Sequence, residues 1–363
     1  MIFLDNASTT PPLDCVIDVV SKSMKSCYGN ASSFHQLGIE SEKIIRNTKD
    51  EILKFINGKG SVYFTSGGTE SNNLSINSIN IKEIRNVVSS SIEHASVYNC
   101  MRNLEKNGVN VKYFTPGKNN IEDLITEDTD FISIMHVNNE IGFILPLEKI
   151  SKLRKERCPR AIFHVDAVQS FGKLKIDVDN LGIDLLSVSS HKIHGPKGVG
   201  FLYASKRVNL KNIMFGGKQQ DNVRPGTEPV ELINGFRKSI EICNIEKRYN
   251  YIKSLNLYLR NKLSSIDGLI INSIDECSPY ILNISVLNLK SEVLLNYLSE
   301  NGICISSSSA CTGNAKSRIL TEMDFPKNII DSAIRISFSI FNSIDDIDCL
   351  VYHINKAKNI LVV

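Results

Sequence analysis

Long apolar runs are missing from this 363-residue chain. No segment approaches about eighteen consecutive apolar residues, so the sequence predicts no membrane-spanning helix. The first residues, Met1-Ile-Phe-Leu4, lead directly into a polar turn without a basic or signal-like region. We therefore expect no targeting leader and a cytoplasmic protein that does not contact membranes.

Paired cysteines of the C-x-x-C type and an excess of charge are missing as well. The nine cysteines argue against a disulfide framework and a structural zinc site, and they fit a reducing cytosol. The 42 basic and 39 acidic residues give a formal net charge of +3, and the densest basic run, at 152–160, also carries a glutamate. We therefore expect no nucleic-acid partner.

Strands and helices alternate over the first two thirds of the chain. Strands are predicted at 61–65, 86–90, 109–114, 131–135, 161–165, 184–188 and 199–203. Helices are predicted at 69–81, 94–107, 120–126, 146–157 and 228–249. This alternation predicts an α/β fold with a mainly parallel seven-stranded sheet covered by helices, and it places ligand sites at the carboxyl ends of the strands.

The rhythm changes from about residue 250. A helix at 251–265, a strand at 280–286, a helix at 290–301, strands at 303–307 and 334–338, and a closing helix at 345–360 predict a smaller α+β domain. The length of the chain also favours at least two domains. We expect a large domain at 13–249 and a small domain made of 1–12 and 250–363.

One turn carries the most informative lysine of the chain. Lys192 lies in Ser189-Ser-His-Lys-Ile-His-Gly-Pro-Lys-Gly198, between two predicted strands. Functional residues are common on such loops, and a desolvated lysine amine can form a Schiff base with an aldehyde cofactor. A lysine near a turn is more often an ordinary surface residue, so the neighbouring loops decide between these interpretations.

A glycine pair follows the strand predicted at 61–65 and opens the next helix. Gly67 and Gly68 let backbone amides approach an anion, the helix N-terminus adds N–H groups, and Thr69 adds a hydroxyl. The same residues could form a glycine-rich turn with a threonine cap. The pattern favours a phosphate site about as much as this structural alternative.

Further polar residues follow other strands of the predicted sheet. His94 could stack on a flat cofactor and move protons, or it could be structural. Asn139 could bond a phenolic oxygen or cap the next helix, and Asp166 could keep a ring nitrogen protonated or act as a helix N-cap. On successive loops of one sheet, these residues and Lys192 make up the set that binds pyridoxal phosphate.

The second domain contributes two candidates. Cys311 lies in a loop of small residues, Ser306-Ser-Ser-Ser-Ala-Cys-Thr-Gly313, where a reactive thiolate would be accessible. Most cysteines are buried and inert, which is the interpretation for the other eight. Arg335 lies in an apolar strand, where it could bind a substrate carboxylate through two hydrogen bonds or form a structural ion pair.

Seven ordered motifs carry a resemblance to a known family. They are Leu4-Asp-Asn-Ala-Ser-Thr-Thr-Pro11, Phe64-Thr-Ser-Gly-Gly-Thr-Glu-Ser-Asn-Asn73, Glu93-His94, His136-Val-Asn-Asn-Glu-Ile-Gly142, His164-Val-Asp-Ala-Val-Gln169, the lysine turn and the loop of Cys311. In these motifs the chain resembles the cysteine desulfurases of the NifS/IscS type. These belong to the class V aminotransferase superfamily of fold-type I pyridoxal-phosphate enzymes.

The resemblance implies roles around the cofactor ring. Lys192 would form the Schiff base with pyridoxal phosphate, His94 would stack on the ring and take part in proton transfer, and Asp166 would pair with the ring nitrogen. Asn139 and Gln169 would contact the ring oxygen and the substrate.

The resemblance also implies how the phosphate is held. The phosphate contacts would come from Gly68, Thr69, Ser189 and His191. The family is a homodimer in which a threonine from the partner subunit completes the phosphate site, and Thr227 matches that threonine.

The implied reaction is the removal of sulfur from L-cysteine. Arg335 would bind the cysteine carboxylate, and Cys311 would attack the substrate sulfur, become a persulfide and release alanine. Sulfur would pass to an acceptor such as an iron–sulfur scaffold protein or a tRNA-thiolation enzyme. We expect no metal site in the chain itself, although Cys311 could contact a cluster on a partner.

Two other functions stay open. A selenocysteine lyase or another class V aminotransferase-like enzyme would use the same cofactor residues, but an aminotransferase needs no thiol such as Cys311. A non-catalytic structural or interaction protein is disfavoured, because Lys192, Asp166, His94 and Cys311 are all present.

Overall fold

The computed structural model describes residues 1–79, 84–274, 276–307 and 316–361. The chain divides into two compact units. The large unit comprises Pro11–His136 and Leu145–Cys243, and the small unit comprises Met1–Thr10, Val137–Ile144 and Asn244–Val363.

The bounds of the strands and α-helices are as follows. The strands are β1 (Ile2–Phe3), β2 (Ser61–Thr65), β3 (Asn86–Ser90), β4 (Asn110–Phe114), β5 (Phe131–Met135), β6 (Ile162–Asp166), β7 (Leu185–Ser189), β8 (Gly200–Ala204), β9 (Leu269–Ile271), β10 (Ile281–Val286), β11 (Ile303–Cys304), β12 (Ser306–Ser307) and β13 (Ala333–Ser337). The helices are α1 (Asp14–Ser26), α2 (Gln36–Phe55), α3 (Gly68–Asn77), α4 (Ala95–Lys106), α5 (Ile121–Leu124), α6 (Leu147–Arg157), α7 (Val178–Leu181), α8 (Val230–Glu241), α9 (Ile245–Leu263), α10 (Ser291–Glu300), α11 (Arg318–Glu322), α12 (Lys327–Ser332) and α13 (Ile344–Leu361).

The large unit is built on a seven-stranded sheet in the order β2-β8-β7-β6-β5-β3-β4. Strands β3 to β7 pair in parallel, whereas β8 pairs antiparallel with both β7 and β2. The predicted mainly parallel sheet is therefore confirmed, and each of its strands starts and ends within one residue of the prediction. The parallel strands bring the loops after β3, β5, β6 and β7 to one edge of the sheet.

Both faces of this sheet are covered by apolar side chains. An aromatic cluster joins Phe171, Phe201 and Phe236 of α8, with ring centroids 5.4 to 6.1 Å apart. A second buried cluster includes Leu74 of α3 and Met101 of α4. Burial of these side chains fixes the sheet between helices, and so it fixes the loops that follow the strands.

The small unit has an α+β architecture, as predicted. Its four-stranded sheet has the order β12-β13-β10-β9 and is antiparallel throughout, while β1 pairs with β11 in parallel. Arg335 lies in the middle of the buried strand β13, opposite Asn283 of β10 and Ser306 of β12. The backbone that carries Arg335 is therefore fixed on both sides by strand pairing.

One predicted helix is wrong. The sequence predicts a single helix at 228–249, but α8 ends at Glu241 and α9 begins at Ile245. The side chain of Asn244 accepts a hydrogen bond from the backbone N–H of Lys247, 2.9 Å away, and so caps the second helix. Because this cap satisfies a backbone N–H of the first turn that would otherwise be unpaired, it fixes the start of α9.

The described part of the chain contains no helix that is both long and apolar enough to cross a membrane. The eight cysteines within the described ranges are free thiols.

Candidate active site

The turn that carries Lys192 is tightly bonded. Ser190–Lys192 forms a single turn of 3-10 helix directly after β7. The backbone oxygen of Ser190 accepts from the N–H groups of Ile193 (3.0 Å) and Gly195 (3.2 Å), while its own N–H donates to Val199 (3.1 Å). Lys192 is half-buried at the carboxyl end of a central strand. This position fits a lysine that reacts with a ligand better than an ordinary surface lysine.

The glycine loop lies beside the end of β7. Gly67 has a φ of +150°, and a methyl group on its α-carbon would lie 3.4 Å from Oγ of Ser189. A methyl group on Gly68 would lie 2.5 Å from Cγ2 of Val168, which leaves no room for a side chain. The first turn of α3, with exposed Thr69, follows this loop. The N–H groups of Ser66 and Gly67 donate to Glu70 and Thr65, so a phosphate cradle here would use the N–H groups at the start of α3 and the Ser189 hydroxyl.

Asp166 is a buried carboxylate at the end of β6. It is 4% exposed, and its Oδ1 accepts from the backbone N–H of Val168 at 2.9 Å. Its Oδ2 accepts from Nδ2 of Asn72 at 2.7 Å. No helix follows Asp166 directly, so the helix-cap alternative is wrong. Each carboxylate oxygen keeps a further lone pair that could accept a proton donor.

His94 caps helix α4 and is tied to Ser96. Its Nδ1 accepts from the backbone N–H of Ser96 at 3.2 Å, and Oγ of Ser96 lies 2.8 Å from the same nitrogen. Nδ2 of Asn72, which binds Asp166, also donates to Oγ of Ser96 at 2.8 Å. Sequence reasoning assigned no role to Asn72 or Ser96. The motif 64–73 contains Asn72, but its partners lie 24 and 94 residues away.

A groove of about 470 Å³ opens between α3 and α4. Thr69 and His94 line it together with Ser96 and Cys100. Two of the residues predicted to bind the cofactor therefore border the same open space.

A buried lysine supports Gln169. Nζ of Lys173 lies 3.1 Å from Oε1 of Gln169, and both residues are at least nine-tenths buried.

Burial, followed by the charges of Lys192, Lys197 and Lys173, lowers the pKa of His191 to about 4. His191 is therefore neutral at pH 7, and it can bind a phosphate through a hydrogen bond without adding a charge.

Arg335 forms an ion pair within the small unit. Its Nη2 lies 2.8 Å from Oδ1 of Asp5 and 2.6 Å from Oγ of Ser8, and its Nη1 donates to the backbone oxygen of Asn139 at 2.9 Å. The structural ion pair, one of the two alternatives for Arg335, is thus present. Oδ1 of Asn139 has no hydrogen-bond partner among the described residues.

Glu140 follows Asn139 and lies close to the same arginine. Oγ of Ser317 donates to its Oε2 at 2.6 Å, and Nδ2 of Asn283 donates to its backbone oxygen at 3.1 Å. Burial raises the pKa of Glu140 to about 7, against the opposing effects of the Ser317 hydrogen bond and of Arg335 and Arg318. The protonation of this carboxyl group therefore changes near neutral pH.

Two further predicted site residues are Cys311 and Thr227. Cys311 lies outside the described residues. Thr227 is exposed on the loop before α8, and its predicted contact with a partner subunit stays a prediction.

The chain is similar over nearly its whole length to known proteins. Residues 2–350 match the family model described as Aminotransferase class-V. The chain is 36% identical to the "Putative cysteine desulfurase IscS 1" of Bacillus subtilis (strain 168), over 97% of both chains. The chain belongs to the cysteine desulfurase family of class-V aminotransferases.

Solved structures place the fold in the same family. A "NIFS-LIKE PROTEIN" matches with a TM-score of 0.92 and 31% identity, covering 99% of each chain. A structure titled "SspA in complex with cysteine" matches with a TM-score of 0.81 and 30% identity, covering 94% of this chain and 100% of the other. The predicted fold-type I architecture is thereby confirmed, and so is the prediction of an enzyme of the sulfurtransferase type.

Enzymes of this family depend on pyridoxal phosphate, and the large unit fits that cofactor. Gly67 and Gly68 form a cradle that a Cβ atom would fill or distort, beside the hydroxyl of Ser189. Asp166 supplies a buried carboxylate, and Lys192 supplies an amine on a fixed turn. This donor set has an anion site, an acceptor for a ring N–H and an amine for an aldehyde, as the cofactor requires.

Proposed function

We propose that this desulfurase uses pyridoxal phosphate to take sulfur from L-cysteine, releases L-alanine and keeps the sulfur as a persulfide on Cys311. The observation that carries the proposal is the Lys192 turn, which lies beside the glycine loop at the carboxyl end of the sheet. Asp166 ends the strand next to β7 and completes this set. The family membership supplies the chemistry that such a set performs.

The residues of the large unit would hold the cofactor. Lys192 would bind it covalently through Nζ, Asp166 would accept a hydrogen bond from its ring nitrogen, and Gln169 would contact its ring oxygen. The phosphate would be held by Gly68, Thr69, Ser189 and His191. When bound, the cofactor supplies an electron sink next to the α-carbon of the substrate.

The remaining residues would act on the amino acid. His94 would stack on the ring and move a proton, Arg335 would bind the carboxylate, and Asn139 would contact the ring oxygen and the substrate. The thiolate of Cys311 would attack the substrate sulfur. The carbon–sulfur bond would break as the S–S bond forms, and the carbon would take a proton to give alanine.

Two exposed aromatic side chains support a homodimer. Phe34 is 98% exposed and Phe215 is 87% exposed, both on loops of the large unit. Burial of these two side chains against a second copy of the chain would remove apolar surface from water. In the dimer, Thr227 of the partner subunit would complete the phosphate site. Size-exclusion chromatography with light scattering would test this assembly.

The persulfide would be passed to an acceptor protein. We infer an iron–sulfur scaffold or a tRNA-thiolation enzyme, because relatives at about 36% identity carry the name IscS. A reducing compartment such as the cytoplasm fits the free thiols of the described cysteines.

The test is the release of alanine and sulfide from L-cysteine in the presence of a thiol reductant. Wild type is expected to release both in equal amounts, and Cys311→Ala is expected to bind the cofactor but release neither. Cys15→Ala, which removes an exposed cysteine of α1, is the matched control and keeps the wild-type rate. Wild-type activity in Cys311→Ala would show that another group attacks the sulfur. Release from selenocysteine alone would assign the chain as a lyase instead.

A further inference from the structure

A buried amide links the carboxylate of Asp166 to the ring of His94. Asn72 lies in α3, is 1% exposed, and donates through one nitrogen to two different acceptors. Nδ2 of Asn72 lies 2.7 Å from Oδ2 of Asp166 and 2.8 Å from Oγ of Ser96. Oγ of Ser96 in turn lies 2.8 Å from Nδ1 of His94. The chain of bonds thus joins the end of β6 to the first turn of α4 through α3.

The backbone N–H of Ser96 sets the direction of this series of hydrogen bonds. An amide nitrogen carries two hydrogens, and Asn72 gives one to Asp166 and one to Ser96. Because the Ser96 hydroxyl already accepts from Asn72, its own hydrogen is available for Nδ1 of His94. The backbone N–H of Ser96 also points at Nδ1, at 3.2 Å. Nδ1 is therefore an acceptor, and the proton of the neutral ring lies on Nε2.

The amide of Asn72 is fixed in this orientation by charge. Its Oδ1 is buried and has no hydrogen-bond partner among the described residues. Such an oxygen costs free energy, but a flipped amide would place that oxygen against the carboxylate of Asp166. The unpaired oxygen therefore indicates that both amide hydrogens are needed where they are.

We infer that Asn72 and Ser96 are positioning residues that fix Asp166 and His94 relative to each other and keep His94 as its Nε2–H tautomer. The inference rests on the proposed roles of Asp166 and His94 in the desulfurase reaction. With Nδ1 accepting from Ser96, the ring proton lies on Nε2, and proton transfer by His94 is assigned to that atom. The same amide holds Oδ2 of Asp166 and leaves its remaining lone pairs for the ring nitrogen.

The test measures the ring of His94 directly. In the purified full-length holoenzyme labelled with ¹⁵N-histidine, the ring nitrogens report the tautomer, and His94→Gln identifies the signals among the seven histidines. Wild type is expected to show the Nε2–H form. Asn72→Leu and Ser96→Ala each raise the share of the Nδ1–H form about five-fold, which corresponds to one lost hydrogen bond. Asn72→Ala removes both donated hydrogens without placing a second carboxylate beside Asp166, and it serves where Asn72→Leu fails to fold.

Kinetics supply a second readout. Asn72→Leu and Ser96→Ala are expected to lower kcat about five-fold or more with KM little changed. The double variant loses no more than the larger single loss, because both substitutions interrupt one chain of bonds. Ser96→Thr keeps the hydroxyl and retains the wild-type tautomer. Asn234→Leu, which changes a half-buried asparagine of α8 that donates to Ser23, is the matched control.

The outcomes separate the inference from the proposed function. If wild type releases no alanine from cysteine but the tautomer changes as expected, the proposed function fails and the positioning of His94 stands. If the ring signals are the same in wild type, Asn72→Leu, Asn72→Ala and Ser96→Ala, the inference is overturned whatever the activity.

Discussion

Asp5 and Arg335 form an ion pair across 330 residues of sequence, with Oδ1 and Nη2 separated by 2.8 Å. The arginine side chain is 6% exposed and the aspartate side chain 21%. Both hydrogens of Nη2 are used, one by Asp5 and one by Ser8, while Nε has no hydrogen-bond partner within the described ranges. A substrate carboxylate that binds Arg335 through two bonds therefore has to compete with a carboxylate of the protein.

This competition predicts different effects for Arg335→Lys and Asp5→Asn. Arg335→Lys is expected to raise the KM for L-cysteine about 10- to 100-fold, because an ammonium group cannot reproduce the forked contact of a guanidinium group. Asp5→Asn is expected to lower KM or leave it unchanged, since the competing charge is gone. It should also reduce the free energy of unfolding by about 1 to 3 kcal/mol.

Alanine release at varied cysteine concentration and urea unfolding measure these two effects. An Arg335→Lys variant that unfolds more easily but keeps the wild-type KM would reduce Arg335 to a structural partner of Asp5.

Removal of Lys192 should abolish covalent attachment of the cofactor. In Lys192→Ala the absorbance band of the covalently attached cofactor is expected to be lost, because no amine remains on the turn after β7. The measurement is borohydride reduction followed by peptide mass analysis, which marks the attached lysine. Lys197→Ala, an exposed lysine of the same segment, is the control and should label as wild type does. Labelling of Lys173 or Lys197 in wild type would contradict the assignment.

The raised pKa of Glu140 predicts a loss of stability as the pH rises. Burial lifts this pKa from 4.5 to about 7, so the unfolded chain loses the proton first. The free energy of unfolding should therefore fall between about pH 4.5 and pH 7. Glu140→Gln still accepts from Ser317 and removes this dependence. Between pH 5 and pH 8, the free energy of unfolding of wild type should therefore fall by about 2 kcal/mol more than that of the variant. Urea unfolding at the two pH values measures the difference.

The comparison for Glu140 is Glu148→Gln, which changes an exposed glutamate of α6. An equal pH dependence in wild type and Glu140→Gln would mean that the Glu140 carboxyl ionises in the folded protein as it does in the unfolded chain.

The buried histidines predict a second, acidic limit to stability. Burial lowers the pKa of His136 to about 4 and that of His164 to about 3, and burial with neighbouring lysines lowers the pKa of His191 to about 4. Below pH 6.5 these histidines bind protons in the unfolded chain but not in the folded chain. The free energy of unfolding therefore decreases as the pH falls from 6.5 towards 4.

His136 is the best place to test this limit, because its Nδ1 has no hydrogen-bond partner among the described residues. Between pH 7 and pH 5, the free energy of unfolding of His136→Leu should fall by about 2 kcal/mol less than that of wild type. The measurement is unfolding followed by circular dichroism, with His35→Asn at an exposed histidine as the control. An unchanged acid limb in His136→Leu would contradict the prediction.

The sequence predicted the large sheet well because each strand is a short apolar run that ends in polar turn residues. Asp166 and Lys192 could be singled out for the same reason, since each directly follows such a run. The roles of Asn72 and Ser96 could not be predicted, because their partners come from other elements. The pair of Asp5 and Arg335 was hidden in the same way, because no local pattern reports a contact between the two ends of the chain. The break between α8 and α9 was signalled by Asn244, but the apolar spacing outweighed it.

Gly67 of the glycine loop lies close to Gly200 of β8. A methyl group on Gly200, the first residue of β8, would lie 2.4 Å from the oxygen of Val188 and 2.8 Å from the α-carbon of Gly67. Gly200 is not among the residues proposed to bind the cofactor, yet any side chain there would push the loop out of place. A screen of random variants for loss of desulfurase activity is therefore expected to find substitutions of Gly200 as often as substitutions of the cofactor residues. Such a variant would fail to bind the cofactor, although Lys192, Asp166 and Cys311 are unchanged.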